Sequence, residues 1–261
     1  MRADTLICIL MYNERSSFFS DIPPVVKNLL IINILVFAVM AIMPAAQRWF
    51  HTYLSLYYFS SPAFKPYQLF TYMFLHGDFM HLFFNMFALF MFGRTIEMAM
   101  GSSRFLFYYI SCGIGAALVQ LGVFAIYISN VSDLLPPDVV ARVTEEGWSL
   151  LQSGYNYSDP DLSRLNEFIN TPMVGASGAI YGVLLAFGFL FPNVGIYLFF
   201  IPVPIKAKWL VAGYFVLELL YGISGSADGV AHFAHLGGMI FGFLLLLYWK
   251  RKGTFNNGWF F

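Results

Sequence analysis

The stretch "PMVGASGAIYG" (172–182) sets one serine between glycines at the head of an apolar run that continues to Phe191. Its reading decides the fold. In water such a run is a core helix; in a bilayer it is a span whose single hydroxyl needs a reason. Composition selects the bilayer. Of 261 residues, 59% are hydrophobic, 20% aromatic and only 11% charged, against about 25% charged in soluble domains. A globular chain so poor in charge would leave large apolar patches uncovered. The expectation is an all-α integral membrane protein.

A spanning helix needs about 20 mostly apolar residues. Six segments qualify, at about 25–43, 80–100, 105–129, 173–191, 209–223 and 230–249. A seventh run, 194–205, is short and broken by Pro202 and Pro204, and reads as a re-entrant or interfacial connection. With both termini cytoplasmic, ten of the fourteen Lys and Arg residues fall inside and four outside, the bias expected of an even number of spans. The organisation that follows is a cytoplasmic tail over 1–24, a six-helix domain over 25–249 and a cytoplasmic tail over 250–261. The start, "MRADTLICILMYNER", has an apolar core of about seven residues and no small-residue cleavage site after it, so it reads as part of that tail. A bacterial inner membrane is the expected location.

Other classes are disfavoured. Net charge is zero and the longest basic run is "KRK" (250–252), so no nucleic-acid partner is expected. Two cysteines, Cys8 and Cys112, predict no disulfide framework. The outer loop, 130–171, is long and acidic, and it contains two helical patterns. "PPDVVARVTEEGWSLL" opens with proline, and "DPDLSRLNEFI" has an Asp cap followed by Pro with apolar residues at helical spacing. Both are expected to be amphipathic helices resting on the outer membrane surface.

Polar groups in a bilayer are costly. Here His81 and Asn85 lie in the second span, Ser177 in the fourth and His235 in the sixth, and all three spans start from the outer side. At about 1.5 Å per residue, these groups share a layer a few to about 10 Å below the outer boundary. A serine in a small-residue span is most often packing material, G-x-x-x-G argues only for helix association, and a membrane histidine is more often a satisfied polar residue than a base. None of those readings predicts convergence at one depth.

Acyl transfer does. A serine hydroxyl needs a base, and a neutral imidazole serves near neutral pH, so Ser177 and His235 form a candidate pair. Pro172 lets the fourth helix begin close to the serine, leaving unpaired N–H groups there for an oxyanion. His81 and Asn85, at i and i+4, add side-chain donors from one helix face. Gly175, Gly178 and Gly182, facing Gly238 and Gly242, let the fourth and sixth spans approach closely. Tyr181, at i+4 from Ser177, is placed to pack on the imidazole.

Competing patterns fail. G-x-S-x-G is broken by Ala179, and H-E-x-x-H is absent. A zinc site from His76, His81, His232 and His235 has no cysteine and no obvious carboxylate to complete it.

The residues resemble the rhomboid family of intramembrane serine proteases over about 25–252. The carriers are "HGDFMHLFFNMF" with His81 and Asn85, "GRTIEMAMGSSRF" with Gly93, Glu97, Gly101 and Arg104, "GASGAIY" with Ser177, and "AHLGGMIFG" with His235, Gly238 and Gly242. The resemblance implies a six-helix bundle, Ser177 as nucleophile and His235 as base. It also implies His81, Asn85 and the Ser177 amide at the oxyanion, Tyr181 stacked on His235, and structural places for His76 and Glu97. His235 rather than His232 matches the family's base, because glycines follow it at three and seven residues. The family uses a pair, so no acidic third member is implied, and Asp78 and Asp228 need not take part.

Two features depart from the family. Tyr67-Gln68 stands where the first outer loop usually has Trp-Arg, and the loop over 130–171 is longer than in minimal members. Glu218, in the fifth span, has no family role; a hydrogen bond to a neighbouring span is the simplest account of it. The implied activity is hydrolysis of a peptide bond in or near a transmembrane helix of a membrane-protein substrate. That helix enters laterally past the fifth and second spans, and no cofactor or metal is needed. A non-catalytic relative that binds membrane clients would be expected to lack the serine or the histidine, and a transporter would be expected to show an inverted repeat, which we do not detect.

Overall fold

A computed structural model describes residues 22–197, 203–224 and 231–254. The expectations for residues 1–21, Cys8, Pro202, Asp228 and 255–261 lie outside the described residues. The chain is built from helices: α1 (Pro24–Ile42), α2 (Pro44–Leu54), α3 (Phe79–Met100), α4 (Ser102–Ser132), α5 (Pro137–Gln152), α6 (Pro160–Asn170), α7 (Ser177–Leu190), α8 (Ala207–Ser224) and α9 (His232–Arg251). It forms an all-α membrane bundle. Among the described residues, α1, α3, α4, α8 and α9 are long and apolar enough to cross a membrane, while α7 is shorter.

The short helix is the centre. Ten of the fourteen residues of α7 are buried, on every side of it, and it packs between α4 and α9 with α8 alongside. Its fourteen residues span about 21 Å, less than the roughly 30 Å of a bilayer core. It also starts four residues later than the apolar run predicts, at Ser177 itself. The backbone explains the difference: Gly175 has φ +128°, which no helix accommodates. The residues ahead of the helix are bonded elsewhere instead. Met173 exchanges two backbone hydrogen bonds with Leu56, and the Gly175 N–H donates to the Tyr72 carbonyl. Non-helical backbone at this depth is tolerable only because protein groups satisfy it.

Small residues bring the central helices together. A β-carbon on Gly238 would lie 1.8 Å from the Gly178 carbonyl oxygen, one on Gly182 would lie 2.5 Å from Cys112 Sγ, and one on Gly242 would lie 2.3 Å from the Tyr108 hydroxyl. That hydroxyl donates to the Gly182 carbonyl at 2.8 Å. Backbone contact between α7 and α9 is thus made where the G-x-x-x-G spacing places it.

The ends of the spans are closed by specific side chains. Glu97 of α3 accepts from the Val25 and Val26 N–H groups at 3.0 and 2.7 Å, two of the donors that the start of α1 leaves without helical partners. It also accepts from Ser102 Oγ at 2.7 Å, tying α1, α3 and α4 at one point.

In the first loop, Gln68 occupies the place of the expected departure. It is fully buried; its amide donates to the Tyr53 and Ala63 carbonyls, and its oxygen accepts from the Lys65 N–H. A neutral amide therefore organises the loop where the family pattern has Trp-Arg.

The two helices expected in the long loop form as α5 and α6, with Asp159 capping α6 by accepting from the Asp161 and Leu162 N–H groups and Pro160 opening it. Rather than lying separately, they pack on each other around Val143, Leu165 and Ile169. Asn166 donates to the Gly147 carbonyl at 3.1 Å, and Ser61 of the first loop donates to Asn170 at 2.7 Å. The proline-broken run after α7 returns through a two-stranded antiparallel ribbon, Gly195–Ile196 against Ile205–Lys206.

Candidate active site

Ser177 is the first residue of α7, half-buried, and Ala176 before it is not a side-chain cap. The N–H groups of the first turn have no carbonyl behind them; Ile180 is the first to bond back, to the Ala176 carbonyl. His235 lies one turn into α9 and is 7% exposed. The Gly178–Gly238 contact sets the two helices close enough that Ser177 Oγ and His235 Nε2 are 2.9 Å apart. The Tyr181 ring lies parallel to the imidazole, with 4.2 Å between centroids and 6° between planes. The expected pair and its stacking partner are therefore together.

His81 reaches the same region from α3, and Asn85 lies one turn further along that helix. Gly175 reports the fit: a β-carbon there would lie 2.8 Å from His81 Nε2 and 3.6 Å from Ser177 Oγ, so the positive φ and the crowding both require glycine. Asp78 caps α3 by accepting from the His81 N–H at 2.9 Å. Asn85 is buried, and one of its amide protons goes to the His81 carbonyl at 2.9 Å; a second donor remains. His76 packs edge-on to His81 at 5.0 Å. It is a buried, neutral spacer: burial pushes its imidazole down to about 3, and His81 acts in the same direction.

One residue at the site was not assigned by the sequence. Glu218 of α8, buried, accepts from the Tyr181 hydroxyl. Its Oε2 lies 2.6 Å from His232 Nδ1 and 3.0 Å from His235 Nδ1. The simple account of a hydrogen bond to a neighbouring span holds, but the neighbours include the imidazole that faces Ser177. Glu218 also supplies a carboxylate next to two of the histidines weighed for zinc. Ligand atoms of Glu218, His232 and His235 lie within 4.8 Å of one another, a set that a divalent ion would occupy only by replacing the bonds among them. His76 and His81 are not part of it.

Comparisons with known proteins point to one family. A model of the Rhomboid domain matches residues 63–135 and 139–252. The chain is 32% identical over 174 residues to Rhomboid protein 1, mitochondrial, of Saccharomyces cerevisiae, covering 66% of this chain and 38% of that protein. It is 32% identical over 182 residues to Rhomboid protease AarA of Providencia stuartii, covering 66% and 52%. It is 28% identical over 195 residues to RHOMBOID-like protein 12, mitochondrial, of Arabidopsis thaliana, covering 74% and 48%. The chain thus spans about half or less of the length of these relatives. Two of the three are mitochondrial by name, so the comparisons do not support the bacterial inner membrane expected from sequence; what stands is an integral, multi-pass membrane protein. The matched residues take in α3, α4 and α6 to α9, with Ser177 and His235 among them, and the chain belongs to the rhomboid family.

Proposed function

We propose that this chain is an intramembrane serine endopeptidase that hydrolyses a peptide bond in or beside a transmembrane helix of a membrane-protein substrate. The observation that carries the reading is the 2.9 Å approach of Ser177 Oγ to His235 Nε2 at a helix start flanked by spans. The Providencia stuartii relative, named as a protease, supports it.

In this reading His235 Nε2 takes the hydroxyl proton as Ser177 Oγ bonds to the scissile carbonyl carbon. The oxyanion meets the unpaired N–H groups at the start of α7, with His81 and the second amide proton of Asn85 as side-chain donors. Collapse returns the proton from His235 to the departing amine and leaves an acyl-serine. A water deprotonated by His235 then releases the acid and restores the hydroxyl. Tyr181 keeps the imidazole in plane through both halves. Gly175, Gly178, Gly238 and Gly242 support the geometry by what they leave out. No cofactor enters these steps.

A substrate helix satisfies its own backbone, so it must unwind locally before attack. Entry is lateral, between α8 and α3: α8 packs on α7 and α9 and shares no extensive surface with α3 among the described residues. The topology that goes with this reading puts both termini in the cytoplasm and the site near the opposite face. The test is cleavage of a model transmembrane substrate in detergent by wild type, Ser177→Ala and His235→Ala. Cleavage by wild type alone supports the reading, and cleavage by Ser177→Ala overturns it.

A further inference from the structure

The reaction above uses one nitrogen of His235 and leaves the other unexplained. His235 Nδ1 is buried, and among the described residues it makes no well-aligned hydrogen bond. The group facing it is Glu218 Oε2, 3.0 Å away, at ion-pair distance though off the ideal N–H direction. Glu218 is 7% exposed in a helix long and apolar enough to span a membrane, where a carboxylate is costly and calls for partners. Three side chains converge on it from two other helices: the Tyr181 hydroxyl of α7 and the His232 imidazole of α9 at hydrogen-bond distance, and the His235 imidazole of α9 at 3.0 Å. The contact to His235 does something the others do not. Nε2 can accept the Ser177 proton only when the ring proton sits on Nδ1, and a buried Nδ1 keeps that proton when an acceptor faces it.

We propose that Glu218 is a positioning residue for His235: it holds the imidazole in the Nδ1–H tautomer and stabilises the charge the ring acquires from Ser177, so that α8 supplies a third, acidic member to the Ser177–His235 pair. The inference rests on the protease reading. The proton from Ser177 Oγ goes to Nε2, the Nδ1 proton stays on the ring, and Glu218 remains ionised throughout, which is the part such a carboxylate plays in serine hydrolases generally. The same carboxylate fixes Tyr181, whose ring stacks on His235, so one group sets both the tautomer and the tilt of the base.

The test uses the full chain in detergent, with wild type, Glu218→Gln, Glu218→Asp and His232→Gln. A fluorophosphonate labelling rate at Ser177 reads activation of the hydroxyl without substrate binding, and kcat and KM are measured on a model transmembrane substrate. Glu218→Gln is expected to slow labelling and kcat by about 10- to 100-fold with KM little changed, because the Tyr181 stack retains part of the orientation. Glu218→Asp is expected to recover part of the loss. His232→Gln, which removes a neighbour of the same carboxylate, is expected to stay within a few-fold of wild type. Nitrogen NMR of the histidine-labelled wild type, with the His235 signals assigned by their loss in His235→Gln, is expected to show the proton on Nδ1. A Glu218→Gln chain that labels at the wild-type rate overturns the inference. So does a wild-type His235 protonated on Nε2, a result that needs no folded variant. If wild type itself neither labels nor cleaves, the protease reading fails, and the tautomer still decides whether Glu218 orients the ring.

Discussion

A β-carbon on Gly238 would stand 1.8 Å from the carbonyl oxygen of Gly178, and the 2.9 Å contact between Ser177 Oγ and His235 Nε2 depends on that backbone approach. Each residue of the pair lies within three positions of one of these glycines, so any widening between α7 and α9 is felt directly at the hydroxyl. Gly238→Ala puts a methyl against backbone, which cannot rotate away. We expect destabilisation of about 1–3 kcal/mol, the usual range for overpacking, and a fall in cleavage of at least about tenfold from a misplaced base. Thermal unfolding and activity in the same detergent check both, and wild-type activity in Gly238→Ala contradicts the packing account.

Glu97 acts far from the pair. It satisfies two N–H groups at the start of α1 and the Ser102 hydroxyl, and hydrogen bonds to a charged acceptor are worth about 1.5–3 kcal/mol each. Glu97→Ala is expected to lower the thermal midpoint clearly. The fluorophosphonate labelling rate of the protein that remains folded should stay near wild type. A large fall in labelling at unchanged midpoint would mean that Glu97 serves the site rather than the bundle.

His76 predicts an acid dependence. Its folded-state value is pushed down to about 3 by burial, from 6.5. Between those values the unfolded chain binds more protons than the folded one, so the contribution is intact above about 6.5 and erodes as pH falls toward 3. Replacing the ring with an apolar side chain removes the titration. The thermal midpoint of His76→Leu should fall less steeply than that of wild type between pH 7 and pH 4; equal slopes would contradict the assignment.

Much of this was legible in the sequence because membrane folds announce themselves through apolar run length and through the rarity of polar residues within the runs. Ser177, His81, Asn85 and His235 stood out for that reason, and the glycine spacings anticipated which helices touch. What was not legible is tertiary. Depth was compared only among spans that start at the serine side; Glu218, counted back from the far end of α8, lies six residues from Ser224, about 9 Å, and belongs to the same layer. Helix α2 is short, lies between the spanning runs and has no buried residue, so a search for spans passes over it. Gln68 is a buried amide bonded to loop backbone, a relation with no periodic signature. The late start of α7 is set by the Gly175 backbone and the Leu56–Met173 bridge, which an apolar count overlooks.

The central claim is that Ser177 is an activated nucleophile because His235 faces it. Peptide mapping after fluorophosphonate treatment of wild type and His235→Ala tests this most directly. The account predicts a phosphonyl adduct on Ser177 of the wild type, formed at least about a thousandfold faster than in His235→Ala. An unmodified Ser177, or equal labelling in the two proteins, contradicts it.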